Sequence, residues 1–144
     1  DGETVDLADG LLFRSRKLAA FLGDCREAVL LGATAGSAIM DAIREKSAAD
    51  QMTAAVVYDA TASEMADAAL DWITDYLNRQ LLRERKQLLS RRFSAGYADF
   101  SLENQKVIYE KLQMEKIGVT ITERCLLLPE KTVTAVCGIR NQAS

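Results

Sequence analysis

The feature that most constrains this chain is a stretch from about Met52 to Leu89 that holds neither glycine nor proline. Within it Tyr58, Ala62, Met65, Ala69, Trp72, Ile73 and Tyr76 recur at three- and four-residue spacing, which places them on one apolar stripe of an α-helix. In a chain of 144 residues such a helix must cross the whole body of the fold or break once.

The flanking segments are shorter. Residues 3–13, ETVDLADGLLF, read as a hairpin turning at Asp9-Gly10. SRKLAAFLGDC reads as a short helix stopped at Gly23. EAVLLGATAG is a continuous apolar run, suited to a buried strand followed by a turn at Gly36. Ser37 is a candidate N-cap for a helix over SAIMDAIREKSAAD. RRFSAGYADF breaks the helical pattern, and SLENQKVIYEKLQMEKIG restores it between a capping Ser101 and a terminating Gly118. The tail reads as three strands, in VTITE, CLLLP and TVTAVCGI, with Pro129-Glu130-Lys131 turning between the last two. Helices and strands are partly segregated, which fits an α+β fold. No repeat, linker or low-complexity tract divides residues 1–144, so they read as one domain.

Composition excludes several classes. A net charge of -3 argues against a nucleic-acid binder. No apolar run approaches the roughly 18 residues of a membrane span. Cys25, Cys125 and Cys137 are far apart and odd in number, which fits neither a disulfide framework nor a zinc site. They read as small apolar residues in a reducing, cytoplasmic setting. The chain has no histidine, so Ser-His-Asp and Cys-His catalysis are ruled out and no metal site is expected. It starts at Asp1 rather than at methionine, so the absence of a targeting signal says little.

Three features remain for chemistry. Asp59, Asp67, Asp71 and Asp75 are four or eight residues apart, with Ser63 in the gap, and form a column on the long helix. Like charges at that spacing cost about 0.2–0.5 kcal/mol per pair, so the column is either a solvated face or a place where one or two acids hold a cation. Arg79, Arg83, Arg85, Lys86, Arg91 and Arg92 form a basic cluster, mostly explained by the helix dipole. The third feature is the loop Arg92-Phe93-Ser94-Ala95-Gly96-Tyr97. Arg92 offers a fork for a carboxylate. Ser94, Ala95 and Gly96 leave room for a ligand to meet the main chain, and Tyr97 has a ring face for a heterocycle or a cation. A plain turn with Gly96 at positive φ would use the same residues.

Four stretches, in this order, resemble the reactivation domain of cobalamin-dependent methionine synthase and its shorter stand-alone relatives. They are AVLLGATAGSAIMDAI, VVYDATASEMADAALD, RFSAGYADFSLENQKVIYEKL and KIGVTITERCLLLPEKTVTAVCGI, together covering roughly residues 24–140. The resemblance implies a twisted, mainly antiparallel sheet with a long helix and several shorter ones. It implies S-adenosylmethionine as the ligand, whose methyl group rescues cob(II)alamin after one-electron reduction by flavodoxin or another donor. The cobalamin is held by a different domain or a corrinoid protein, and this domain supplies a platform rather than a catalytic group.

Carried over, Arg92 matches the arginine for the methionyl carboxylate and Ser94 the small residue, beside Ala95, whose main chain meets adenine. Gly96 and Tyr97 match the Gly-Tyr pair lining the ligand. The acid for the α-amino group falls on Asp67, or on Asp71 with a shift of one turn, and both are one methylene shorter than the family's glutamate. Ala98-Asp99 agrees with the stand-alone branch. Nothing corresponds to the family's helical segment ahead of the first hairpin, nor to a later tyrosine. Two other readings stand beside this one. One is a docking or capping module for a corrinoid protein that has lost the ligand. The other is a nucleotide enzyme built on Gly32-Ala33-Thr34-Ala35-Gly36, which lacks the lysine of a phosphate loop.

Overall fold

The computed structural model describes residues 3–7 and 10–142. The elements are β1 (Thr4–Leu7), β2 (Leu11–Arg14), α1 (Arg16–Leu22), β3 (Glu27–Thr34), α2 (Ser37–Ala48), α3 (Met52–Leu81), β4 (Lys86–Leu88), α4 (Asn104–Leu112), β5 (Thr120–Ile121), β6 (Leu127–Leu128) and β7 (Thr132–Asn141). Short 3-10 turns follow α3 and α4. All pairings are antiparallel. The architecture is α+β.

The central sheet has the order β3-β7-β4. Both faces of its two longer strands are covered, which is why β3 reads as a continuous apolar run; β7, whose TVTAVCGI sequence reads as alternating, is instead buried continuously from Thr134 to Gly138. One face carries Leu31, Ala33, Ala135 and Cys137, which pack with Leu70 of α3. The other face carries Val136, which packs with Leu11 and Phe13 of the hairpin, Leu18 and Leu22 of α1, Phe100, and Ile108 of α4. Odd-numbered residues of β7 thus face α3 and even-numbered ones face the hairpin layer, as the two-residue period of a strand requires.

Helix α3 runs unbroken for 30 residues and then ends earlier than its sequence pattern suggests. Lys86–Leu88, which the pattern places in the helix, form an edge strand on β7. The change of direction falls at Arg85, which is left-handed with φ 54°. Asn78 Oδ1 then accepts a hydrogen bond from Leu88 N at 2.8 Å and ties the strand back to the helix. Pairing with β7 here overrides a good local helix pattern.

The apolar stripe also needs correction. The buried residues of α3 are Ala55, Ala62, Ala66 and Leu70. Of the expected stripe, Ala62 is buried and Ala69 and Ile73 are half-buried, while Tyr58, Met65, Trp72 and Tyr76 are exposed. Small residues let the first half of the helix lie close to its neighbours, Leu70, Ile73 and Leu77 pack against the sheet further along, and Tyr58, Met65, Trp72 and Tyr76 are left on the other side.

Smaller corrections concern helix ends. The N-cap of α2 is Gly36 rather than Ser37, which is the first helical residue. Helix α4 starts at Asn104 and ends at Leu112, so Ser101 stands outside it and Gly118 closes the following 3-10 turn. Gly23 ends α1 with φ 51° as read. The β1–β2 register is continuous from Thr4↔Arg14 to Leu7↔Leu11. Asp9 of the expected turn lies outside the described residues. All three cysteines are free thiols; Cys125 and Cys137 are buried and Cys25 is half-buried. Among the described residues, no helix is long and apolar enough to cross a membrane.

Candidate functional site

The loop that follows β4 starts with a bulge. Leu88 pairs with Ile139 and Phe93 with Val136, so this strand advances five residues while β7 advances three. The surplus falls at Ser90 and Arg91. Phe93 then rejoins β7 fully, its N–H donating to Val136 O at 2.9 Å and Val136 N donating back at 2.7 Å. Beyond Phe93 the loop leaves the sheet. Gly96 N donates to Phe100 O at 2.7 Å and Tyr97 N to Ser94 O at 3.2 Å, which closes a tight turn with Gly96 at φ 86°. A Cβ on Gly96 would meet Leu102 Cδ1 at 3.2 Å, so both conformation and space favour glycine there.

This departure leaves part of β7 without a neighbour. In an antiparallel ladder each residue directs its N–H and C=O to the same side, and the side alternates along the strand. Val136 points towards the loop, and so therefore do Thr134 and Thr132. Among the described residues no main-chain group pairs with them on that side. The resulting groove, of about 370 Å³, is lined by Ser94 and Ala95 of the loop, Leu102 and Gln105, the β6 segment, and Thr132 to Thr134. Gln105 is buried, and its amide both donates to Thr134 Oγ1 at 2.7 Å and accepts from it at 3.0 Å.

The acidic column runs along the same edge. Lys131 Nζ lies 2.9 Å from Asp59 Oδ2 and donates to Ser63 Oγ at 2.9 Å. Arg92 Nη1 lies 2.6 Å from Asp71 Oδ1. These two ties align α3 with β7: Asp59 and Ser63 meet the start of the strand, and Asp71 meets the chain beside the Phe93–Val136 bridge. Asp67 stands between the two ties, and no side-chain hydrogen bond or ion pair engages it among the described residues. Two acids of the column thus hold cations of the chain itself, and the acid between them is left over.

The Arg92 side chain is only 24% exposed. One of its five N–H groups is committed to Asp71, and the others remain to receive a carboxylate. Ser94 and Ala95 line the groove, but Arg92, Asp67, Asp71, Gly96 and Tyr97 do not. Tyr97 is 68% exposed and sets its ring edge-on to Phe93 at 5.6 Å. The structure therefore joins Arg92 to Asp71, leaves Asp67 unengaged one turn earlier, and separates Tyr97 from the groove proper.

Sequence reasoning gave no functional weight to Asp99, which fixes the far end of the loop. Its carboxylate accepts from the Ser15 hydroxyl, from Arg16 N at 2.9 Å and from Lys17 N at 3.2 Å. The Ser15 hydrogen bond, with those main-chain donors, holds the Asp99 carboxyl below its ordinary range. Ser15 is itself the N-cap of α1, accepting from Leu18 N at 2.9 Å. No local pattern around Asp99 announces this role, because its partners lie more than 80 residues away. The Cys137 thiol is pushed upward by burial and stays protonated, in keeping with a packing role. Among the described residues no group of three or more His, Cys, Asp or Glu side chains could hold a metal ion. No protein-family model matches the chain, and no curated protein matches it.

Proposed function

We propose that this chain binds S-adenosylmethionine along the open edge of β7 and presents its methyl group for the reductive reactivation of cob(II)alamin. The cobalamin is carried by a partner, either the cobalamin-binding domain of a methyltransferase such as methionine synthase or a corrinoid protein. The setting is cytoplasmic, with flavodoxin or another one-electron donor supplying the electron.

The observation that carries this reading is the pairing pattern of α3 with the chain at either end of the open β7 edge, beside the groove. Arg92 is held in place with donors to spare, and Asp67 is the unengaged acid between two completed ion pairs. An α-amino acid head group needs both: a fork for its carboxylate and an anion for its ammonium. The small side chains of Ser94 and Ala95 and the unpaired main chain of Thr134 suit a flat heterocycle with donors and acceptors on its edge. The ligand supplies the methyl group, while the chain binds it, orients it and leaves one side of the groove open to a partner. That division of labour suits a chain without histidine.

The test is calorimetry of the full chain with S-adenosylmethionine up to millimolar concentration. Saturable heat that is lost in Arg92→Ala supports the reading. No heat at any concentration overturns it. The docking-module alternative makes a different forecast: a purified cobalamin-carrying partner binds the chain equally well with and without Arg92→Ala. The open groove supports weak binding until a partner covers it, because an exposed, flexible ligand retains little of its gross contact energy.

A further inference from the structure

From the outer face of α3 we infer that the chain forms an antiparallel homodimer through this helix. The face carries Tyr58, Met65 and Trp72 at seven-residue intervals, all exposed, with Met65 56% and Trp72 65% accessible. Monomeric proteins seldom leave an apolar face of this length uncovered. Ala54, Thr61 and Ala68 alternate with the large residues on the same face. With the large residues at heptad position a, these smaller ones fall at d. The Thr61 hydroxyl donates to Val57 O at 2.7 Å within the helix, so its polar group is already satisfied and its methyl group remains for packing.

That pattern selects the occupant. In an antiparallel pair of helices, each a position of one copy faces a d position of the other. Here each central contact sets a large side chain against a smaller one: Trp72 against Thr61, and Met65 against Ala68. Alternating volumes interdigitate in this way and fill the interface without voids. The same register brings Tyr58 opposite Asp75, which gives the phenol a carboxylate acceptor. A parallel copy would set Trp72 against Trp72 and Ala68 against Ala68. Self-complementarity about a two-fold axis is what a closed dimer needs.

The area is sufficient for a weak dimer. The exposed parts of Val57, Tyr58, Met65, Trp72 and Tyr76, with the small residues between them, come to roughly 600 Å² per copy, which reaches the lower end of specific interfaces at about 1,200 Å² in total. Trp72 and Tyr76 stack at 6.0 Å with an interplanar angle of 14°, so the aromatic part of the face is already ordered. Asp59 and Asp67 lie outside the a and d positions of this face, so the dimer leaves Asp67 uncovered, while Asp71 stands at the margin of the face, at the heptad position that Val57 occupies.

Sedimentation of the full chain from about 1 μM to about 1 mM tests this. A monomer–dimer equilibrium is expected, with Trp72 fluorescence shifting to the blue as dimer forms. Met65→Glu and Ala68→Trp are each expected to weaken dimerisation about 30-fold or more, while circular dichroism and melting stay close to those of the parent. Two results overturn the inference: a chain that remains monomeric over the whole range, or a dimer that both variants leave intact. Binding of a foreign helix by a chain that never self-associates also overturns it.

Discussion

Strand β7 is treated differently along its length. From Val136 to Ile139 it has a neighbour on both sides, with β3 on one and the β4 edge on the other, whereas from Thr132 to Thr134 it has β3 alone. The doubly flanked part is uniformly apolar or glycine, and its side chains meet closely packed layers on both faces. The singly flanked part alternates threonine with valine and opens into the groove. One strand thus contains a segment specified by crowding and a segment specified by what is left out. The crowded segment sets the frame from which Phe93, and hence Arg92 and Ser94, are hung. Substitutions at the two ends should fail in different ways.

The largest effect is expected at Gly138. A Cβ there would stand 2.7 Å from Cys25 Sγ, 2.9 Å from Leu89 Cδ1 and 3.0 Å from Leu22 Cδ2. Gly138→Ala should cost about 1–3 kcal/mol by overpacking and lower the melting temperature accordingly. Cys25→Ala should restore part of the loss by removing the nearest atom. Gly32→Ala gives a milder comparison in the same sheet, because its Cβ would come no closer than 3.0 Å to Leu112 Cδ1 and 3.1 Å to Met114 Cε. A Gly138→Ala protein that melts like the parent would break the contrast at its crowded end.

At the open end the readout is binding rather than stability. Arg92→Ala should weaken S-adenosylmethionine by about 10- to 100-fold, the worth of a charge-assisted contact. It should barely move the melting temperature, because Asp71, its partner, is 68% exposed. The two candidate acids then separate. Asp67→Ala removes the free anion and should weaken binding more than Asp71→Ala, which only loosens the arginine. The opposite order would make Asp71 the ligand and Arg92 the group it gives up. Thr134→Val should act on both readouts more mildly. It leaves the buried Gln105 amide without its partner, at a cost of at least about 1 kcal/mol, while the main-chain edge of the groove survives. Melting of the variant alone, followed by titration, separates the two.

What the sequence reveals follows the same division. The strand β3 and the helix α2 behind its Gly36 turn are readable because local pattern and tertiary role agree there; β7 is readable as a strand, though its alternating pattern does not announce burial on both faces. The burial of the first half of α3 is not readable in the same way, because there the face that packs is built of Ala55, Ala62 and Ala66, whose small side chains give a weak periodic signal, whereas Leu70, Ile73 and Leu77 carry the packing further along. The larger Met65 and Trp72 dominate the pattern and point elsewhere. Strand β4 is hidden for a related reason: Lys86-Gln87-Leu88 has no strand signal of its own and exists because β7 offers an edge. In the candidate site, Arg92 and the acids are visible as residue types at a spacing. Which acid is already neutralised depends on contacts across the fold, such as that between Lys131 and Asp59, which no local window contains.

The smallest expected effect concerns Asp99, and its value lies in its pH dependence. Asp99 ties the loop to α1 through the Ser15 hydroxyl and two main-chain N–H groups, and its carboxyl is held below the ordinary range by them. A carboxylate whose pKa is lower in the folded chain than in the unfolded one contributes stability above its unfolded pKa. That contribution is lost as pH falls through the folded value. Asp99→Ala should therefore melt below the parent at neutral pH by a constant margin, and the margin should shrink as pH falls below the ordinary aspartate range of about 4 and the parent's carboxylate takes up its proton. A margin that persists unchanged into acid would mean that the side chain stabilises the loop by packing rather than by charge. If the charge is what holds the loop, the variant should also bind S-adenosylmethionine more weakly at neutral pH, where Arg92 and Asp71 are untouched. The open end of β7 would then depend on an anchor in α1, on the far side of the sheet from α3.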